Sequence, residues 1–101
     1  MTVKMVVLYA QPADPESFER HYREVHGPLV DAIPGLLRWE TAKFGAALDG
    51  GEATYSRIAE LYFEDQAAFG ASMSSPEGKA TATDYQQIAP PGSRLFVAAV
   101  D

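Results

Sequence analysis

The spacing of apolar residues divides the chain into four strand-like runs and two helical segments. The strand-like runs are short and rich in β-branched and aromatic side chains, which suit the pleated surface of a sheet. They cover Val3–Tyr9, Leu37–Phe44, Tyr55–Phe63 and Arg94–Val100. Nearly every residue of the first run is apolar, which predicts a strand that is covered on both faces or lies centrally in its sheet. The second and third runs flank a loop with the turn sequence Asp49-Gly50-Gly51, and this arrangement predicts a hairpin.

Residues 14–36 contain the clearest amphipathic helix. Asp14 is a good N-cap, and the proline after it suits the first helical position because the N–H that it lacks would be unpaired there. At about 100° per residue, one narrow apolar stripe faces the core. This stripe consists of Phe18, Tyr22, Val25 and Leu29. Phe18 and Val25 are therefore predicted to be buried. Gly27-Pro28 is expected to interrupt the helical pattern, with one or two further turns after it.

The second helical segment is predicted to be broken in two. Asp65 is expected to cap a short helix over residues 66–73, and Ser75 followed by proline starts a second helix. The stripe of that second helix consists of Thr81, Tyr85 and Ile88. The resulting element order is β-α-β-β-α-β, which is the ferredoxin-like arrangement. We therefore predict an α+β fold with one four-stranded antiparallel sheet, in a single domain that spans residues 1–101.

Such a sheet carries its helices on one face and leaves the other face open. Both faces of the first and fourth strands are apolar, so the helix-free face is expected to be too hydrophobic to remain in water. Packing two sheets face to face would bury this surface. The pattern therefore predicts that the chain pairs with itself as a homodimer.

Composition narrows the range of partners and locations. The formal net charge is −6 at pH 7 and Lys and Arg are not clustered, so binding to nucleic acid or to an anionic membrane is not expected. The chain has no cysteine, which excludes disulfides and thiolate metal sites. Neither a signal peptide nor a membrane-spanning run is apparent, so a cytoplasmic location is expected.

A pattern in the first helical segment resembles that of a known family. It runs F-x-x-H-Y-x-x-x-H-G-P-L from Phe18 to Leu29 and is followed by I-P-G-L from Ile33 to Leu36. This pattern is similar to that of the EthD family, which is named for a small protein of bacterial ethyl tert-butyl ether degradation. The resemblance implies membership of the dimeric α+β barrel superfamily, and it implies that the paired sheets form a barrel.

The two histidines of the chain, His21 and His26, are the candidate catalytic residues. Their spacing of five residues places them about 140° apart on an α-helix, whereas two metal ligands on one helix normally lie three or four residues apart. No metal site is therefore expected. His26 lies near the helix end, where it could bond a free backbone carbonyl or transfer a proton at the mouth of a pocket. A working histidine is expected to border a cavity and to have one ring nitrogen free of protein partners, and His26 is favoured for this role.

Aromatic residues provide the candidate ligand-binding surface, because a cleft lined with rings suits a small apolar ligand. The candidate substrate-binding residues are Tyr9, Tyr22, Trp39 and Tyr62. Two carboxylates, Glu40 and Glu60, lie in strands that otherwise look buried. Arg38 and Arg57 are predicted to pair with them across the hairpin. Motifs for nucleotide binding and for a Ser or Cys nucleophile are missing, so no organic cofactor is expected.

Three hypotheses about function follow. The wider superfamily includes cofactor-free monooxygenases, muconolactone isomerases and polyketide cyclases, so the resemblance implies a small hydrophobic ligand of a catabolic or secondary-metabolite pathway. One hypothesis is histidine-assisted proton transfer on that ligand. The second is a non-catalytic protein that binds or delivers an intermediate of a degradation pathway, which needs the same pocket but no titrating group. The third is haem binding, which would need an axial ligand in a wide cleft.

Overall fold

The first strand, β1, lies at the centre of a four-stranded antiparallel sheet. The computed structural model describes all 101 residues. Its strands are β1 (Val3–Ala10), β2 (Arg38–Lys43), β3 (Tyr55–Phe63) and β4 (Arg94–Ala99), in the spatial order β2-β3-β1-β4. The β2–β3 hairpin is confirmed, and β1 pairs with both β3 and β4. The predicted α+β, ferredoxin-like fold with four antiparallel strands is confirmed.

Helices cover one face of this sheet. They are α1 (Pro15–His21), α2 (Gly27–Asp31), α3 (Gln66–Ser74) and α4 (Pro76–Ile88), and a single π-helical turn (Tyr22–His26) joins α1 to α2. The three predicted N-caps are confirmed, because the side chains of Asp14, Asp65 and Ser75 each accept a hydrogen bond from a backbone N–H three residues later. The break between α3 and α4 also lies where it was predicted. The expected interruption at Gly27-Pro28 was wrong, since α2 begins there and the irregularity lies one turn earlier.

The core lies between the sheet and the helices. Its largest fully buried side chains are Tyr9, Leu61 and Phe63 from the strands and Val30 from α2. Phe18 is buried, as predicted, but the prediction for Val25 was wrong because 42% of its surface is exposed. The π-helical turn contains one residue more than an α-turn, and it therefore shifts every later inward position by one.

The predicted ion pairs across the hairpin were wrong, because no pair joins β2 to β3. Successive residues of a strand point to opposite faces, so Arg57 lies on the helix-covered face and Glu60 on the other. Arg57 binds Glu19 of α1, with Nη2 and Oε1 2.6 Å apart. Glu60 binds Lys4 of β1 at 2.7 Å, and Arg38 pairs with Glu40 on its own strand.

The helix-free face of the sheet is partly apolar and partly charged. The strand register places Val6 beside Phe96, and Leu8 beside Ile58, while the ion pair of Lys4 and Glu60 lies among them. Phe96 is 43% exposed. No helix of the chain combines the length and the apolar character that crossing a bilayer requires.

Candidate functional site

A cavity of about 140 Å³ lies between the helix-covered face of the sheet and the helices. Its wall is mostly hydrophobic. The sheet contributes Met5, Val7, Tyr9, Ala59, Leu61 and Leu95, and the helical side contributes Tyr22, His26, Val30, Met73, Thr81, Ala82, Tyr85 and Gln86. Polar side chains therefore enter an otherwise apolar space at a few points, which is the usual composition of a small-molecule site.

The π-helical turn places His26 in this wall. Within it, the N–H of Gly27 donates to the carbonyl of Tyr22, five residues earlier. Because of this longer turn, the residue that follows Tyr22 on the inward side is His26, which is only 4% exposed, and not Val25. Single π-turns inside helices often occur at functional sites.

Asp84 of α4 binds both histidines. Its Oδ2 lies 2.9 Å from Nδ1 of His26, and its Oδ1 lies 2.8 Å from Nε2 of His21. Asp84 is 6% exposed, so its carboxylate relies on these partners in place of water. The other ring nitrogen of His26, Nε2, lies 3.3 Å from the hydroxyl of Tyr9. Tyr9, His26, Asp84 and His21 thus form one continuous polar chain.

The carboxylate determines which nitrogen of His26 carries the proton. A carboxylate can only accept, so Nδ1 donates to Asp84 and Nε2 of the neutral ring keeps its lone pair. Burial lowers the pKa of His26, and the hydrogen bond with Asp84 opposes this shift only in part. Burial also raises the pKa of Tyr9, so its hydroxyl stays protonated. The cavity therefore presents an accepting nitrogen beside a neutral hydroxyl.

Aromatic rings hold Tyr9 in place. The rings of Phe18 and Tyr22 each have centroids 5.4 Å from that of Tyr9, and the ring of Tyr85 lies at 5.7 Å. Tyr22 contributes only its ring to the cavity, because its hydroxyl bonds the hydroxyl of Thr41 at 2.9 Å. Rigid packing of this kind fixes the direction of the Tyr9 hydroxyl.

The structure brings three of the six predicted site residues to the cavity, namely Tyr9, Tyr22 and His26. His21 lies outside it, at the outer end of the polar chain, with 36% of its side chain exposed. Trp39 lines a separate cleft at the edge of the sheet and donates from Nε1 to Asp31 at 2.7 Å. Tyr62 lies on the helix-free face, where the Arg38 guanidinium is 3.9 Å from its ring centre.

Of the two geometric features predicted for His26, the structure has one in full and the other only in part. It borders the cavity, as a working histidine was expected to do, but its Nε2 is not wholly free, because the Tyr9 hydroxyl lies within reach. The alternative expectation, a bond to a backbone carbonyl at the helix end, was wrong, since both ring nitrogens face side chains. No group of three or more His, Cys, Asp and Glu side chains is placed to hold a metal ion.

Sequence reasoning missed Asp84, which orients the histidine. The residue lies three positions after Thr81 and four before Ile88, so it belongs to the inward stripe of α4. A carboxylate on an inward stripe needs a buried partner. That conflict, in a chain with two histidines on another helix, was the signal that could have identified it.

The fold and this site define a class of protein, namely a ferredoxin-like α+β protein with a small apolar cavity and one oriented histidine. The sequence model of a protein family, the EthD domain, matches residues 10–90 of this chain. The chain therefore belongs to the EthD family. A relative in Rhodococcus erythropolis, an uncharacterized 11.0 kDa protein in the thcB-thcC intergenic region, is 38% identical over 93 residues. The match covers 92% of this chain and 89% of the relative.

Two solved structures show how far the likeness of fold extends. An EthD family protein from Bacillus halodurans C-125 is 31% identical, with a TM-score of 0.93 and full coverage of both chains. SnoaB from Streptomyces nogalater, described as a cofactor-independent oxygenase, is 17% identical with a TM-score of 0.70. That match covers 98% of this chain and 92% of SnoaB, and at this identity it shows the fold alone.

Proposed function

We propose that the chain binds a small hydrophobic molecule in the cavity and that His26 moves a proton to or from it. The observation that supports this most directly is the oriented Nε2 of His26, which carries a lone pair at the wall of an apolar space. A general base must lie within hydrogen-bond reach of the proton that it takes. Burial, by lowering the pKa of His26, keeps the ring neutral and able to act as that base near neutral pH.

Each residue of the polar chain has a role in this proposal. A ligand proton passes to Nε2 of His26, and the positive charge of the resulting imidazolium is stabilised by the Asp84 carboxylate at Nδ1. The negative charge left on a ligand oxygen accepts a hydrogen bond from the hydroxyl of Tyr9. Return of the proton to another carbon of the ligand completes an isomerisation. In a cyclisation, the deprotonated carbon instead attacks a carbonyl of the same ligand, so that a C–C bond forms as the C=O π bond breaks, and the proton returns to the new alkoxide oxygen. SnoaB, which is described as a cofactor-independent oxygenase, has the same fold, so the absence of an organic cofactor is compatible with catalysis on this scaffold.

A non-catalytic binding protein is the second candidate function. The polar chain of the site is already complete without a ligand, since every buried side-chain N and O atom has a hydrogen-bond partner. An apolar molecule could therefore be held by burial alone, with His26 serving only as structure. Haem binding has less support, because the cavity has a volume of only about 140 Å³ and neither Lys nor Arg lines it to bind propionates.

The proposed assembly is a homodimer. The edge strand β4 exposes three consecutive apolar side chains, Leu95, Phe96 and Val97, each between 43% and 49%. Leu95 also lines the cavity, so a partner that covers β4 would narrow the open side of the cavity. Successive side chains of β4 point to opposite faces, so a partner packed on the helix-free face would bury Phe96. A partner that also covers the edge of β4 would remove Leu95 and Val97 from water.

Proton exchange tests the catalytic proposal without knowledge of the natural substrate. A panel of single-ring ketones is incubated with the protein in D₂O, and loss of the α-proton signals is followed by NMR. The native chain is expected to accelerate exchange, and His26→Asn to slow it by about 10²-fold or more. Val25→Asn, one position earlier but exposed, is the matched control and is expected to exchange like the native chain. Ligand binding without any exchange would favour the binding protein.

A further inference from the structure

The cavity itself limits the chemical class of the ligand. Resting on the proposed function, we infer that the ligand is a neutral, single-ring molecule with one hydroxyl group on an sp² carbon, that is, a phenol or an enol. Three properties of the site lead to this class: its volume, the distribution of charge around it and the way in which its polar atoms are already used.

The volume selects a single ring. The cavity measures about 140 Å³. An apolar cavity of about 150 Å³ engineered in another protein stays dry and binds benzene, so the space here matches one six-membered ring. The wall is built from Met, Val, Leu and Ala side chains and tyrosine rings, which favours an apolar ring over a polar one.

The surrounding charge selects a neutral ligand. The cavity has no Lys or Arg in its wall, and the buried carboxylate of Asp84 lies directly behind His26. Arg57 packs on the ring of Tyr22 at 4.5 Å, and Glu19 already binds its guanidinium. A ligand carboxylate would therefore be buried beside a negative charge and without a cation, which is costly.

The polar atoms of the wall select a hydroxyl group. Thr81 donates to a backbone carbonyl of α2 or α4, and the Tyr22 hydroxyl bonds Thr41, so neither hydroxyl has a proton left to donate to a ligand. Tyr85 and Gln86 also line the cavity, but they are half-buried and exposed respectively. Among the fully buried polar groups, this leaves the long, 3.3 Å contact between Tyr9 and Nε2 of His26. A ligand hydroxyl can donate to Nε2 and accept from the Tyr9 hydroxyl at the same time. A ketone can use only the donor, and a hydrocarbon can use neither.

Calorimetric titration with three ligands of similar ring size tests the inference: phenol, toluene and benzoate at neutral pH. Phenol is expected to bind about tenfold more tightly than toluene, the difference that one net hydrogen bond makes, and benzoate is expected not to bind measurably. Either Tyr9→Phe or His26→Leu alone leaves phenol one hydrogen bond to gain, so the preference is expected to persist in each. The double variant Tyr9→Phe with His26→Leu removes both partners of the hydroxyl and is expected to bring phenol close to toluene. Tyr62→Phe removes a hydroxyl on the other face of the sheet and is expected to leave the tenfold preference intact.

A further variant locates the binding. Ala82→Leu adds volume at a half-buried position of the cavity wall and is expected to weaken phenol and toluene alike. Equal affinity for phenol and toluene, tighter binding of benzoate, or no binding of any ring compound would each overturn the inference. Preference for phenol without proton exchange in the ketone panel would uphold the ligand class and reject catalysis. Exchange without a preference for phenol would uphold catalysis and reject the ligand class.

Discussion

Nδ1 of His26 lies 2.9 Å from Oδ2 of Asp84, although 58 positions separate the two residues in the chain. Both side chains are buried, at 4% and 6% exposure. The hydrogen bond joins the π-helical turn of the first β-α-β half to α4 of the second half. The orientation of the His26 ring is therefore fixed by residues from both halves of the fold.

Replacing Asp84 with Asn is expected to allow the proton of the neutral His26 ring to lie on either ring nitrogen. An amide can donate to Nδ1 as well as accept from it, so the form with the proton on Nε2 becomes available and the accepting lone pair leaves the cavity. We expect proton exchange to fall by about 10²-fold or more. The ¹⁵N chemical shifts of the imidazole report the tautomer directly.

Asp31→Asn provides the control for this substitution. It removes the same charge from an exposed residue whose partner, Trp39, lies outside the cavity. The imidazole shifts of this variant are expected to match those of the native chain. Unchanged shifts in Asp84→Asn as well would show that the carboxylate does not set the tautomer.

Two valines, Val25 within the π-helical turn and Val30 after it, form a matched pair for stability. Val30 is 2% exposed and Val25 is 42% exposed. Val30→Ala is expected to lower the free energy of unfolding by about 1–3 kcal/mol through lost burial and a small cavity. Val25→Ala is expected to change it by less than about 0.5 kcal/mol. Urea unfolding measures both, and equal losses would contradict the inward shift that the π-turn causes.

The buried imidazole predicts a specific dependence of stability on pH. The pKa of His26 is lowered by burial, so below its ordinary pKa of about 6.5 the unfolded chain binds a proton that the folded chain resists. The free energy of unfolding is therefore expected to fall as the pH decreases from about 7 towards 5. His26→Asn is expected to flatten the curve in this range. A curve of the same slope in the variant would assign the effect to another group.

Glu19 affects the stability at a lower pH than His26 does, so the two effects can be distinguished. The hydrogen bond from Arg57 lowers the pKa of Glu19, so the stability that this pair contributes is present above the ordinary pKa of a glutamate, near 4.3, and is lost as the pH falls further. Glu19→Gln is expected to lower the curve by a constant amount above this range and to change its slope only within it, which makes it the control for His26→Asn.

Self-association is expected to depend on the exposed strand β4. Light scattering after size exclusion is expected to give the mass of two chains at micromolar concentration. Phe96→Glu places a charge on the helix-free face, at a position that is 43% exposed, and is expected to yield monomers because the charge would be buried unpaired in the dimer. Glu52→Gln in the β2–β3 loop is expected to leave the dimer intact. A native chain that is monomeric under these conditions would refute the proposed assembly.

The strands and the caps could be predicted because their signals are local. The strand-like run Tyr55–Phe63 and the pairing of an acidic or hydroxyl residue with the start of a helix depend on neighbours within a few positions, and both appear where the sequence placed them. Arg57 shows the limit of such reasoning. Its face in the sheet could be counted from the strand, but its partner Glu19 comes from another element.

The site was harder to predict because its geometry depends on one irregular turn. On a regular α-helix, a spacing of five residues sends His21 and His26 in directions about 140° apart. In a π-helical turn the backbone bonds join residues five apart, so both rings reach the same carboxylate of Asp84. The number of residues in a turn is decided by packing against the sheet, which is not encoded in the local pattern.

The π-helical turn also has a consequence for how relatives of this chain are aligned. The inward positions Phe18, Tyr22, His26 and Val30 are separated by four residues each. If one residue between Tyr22 and His26 were deleted, the intervals would become four, three and four, which a regular α-helix satisfies. A relative that is one residue shorter can therefore keep the same ring in the same place. In such a pair of sequences a gap inside the helix marks the turn, and the histidines correspond in space although their distances from the preceding tyrosine differ.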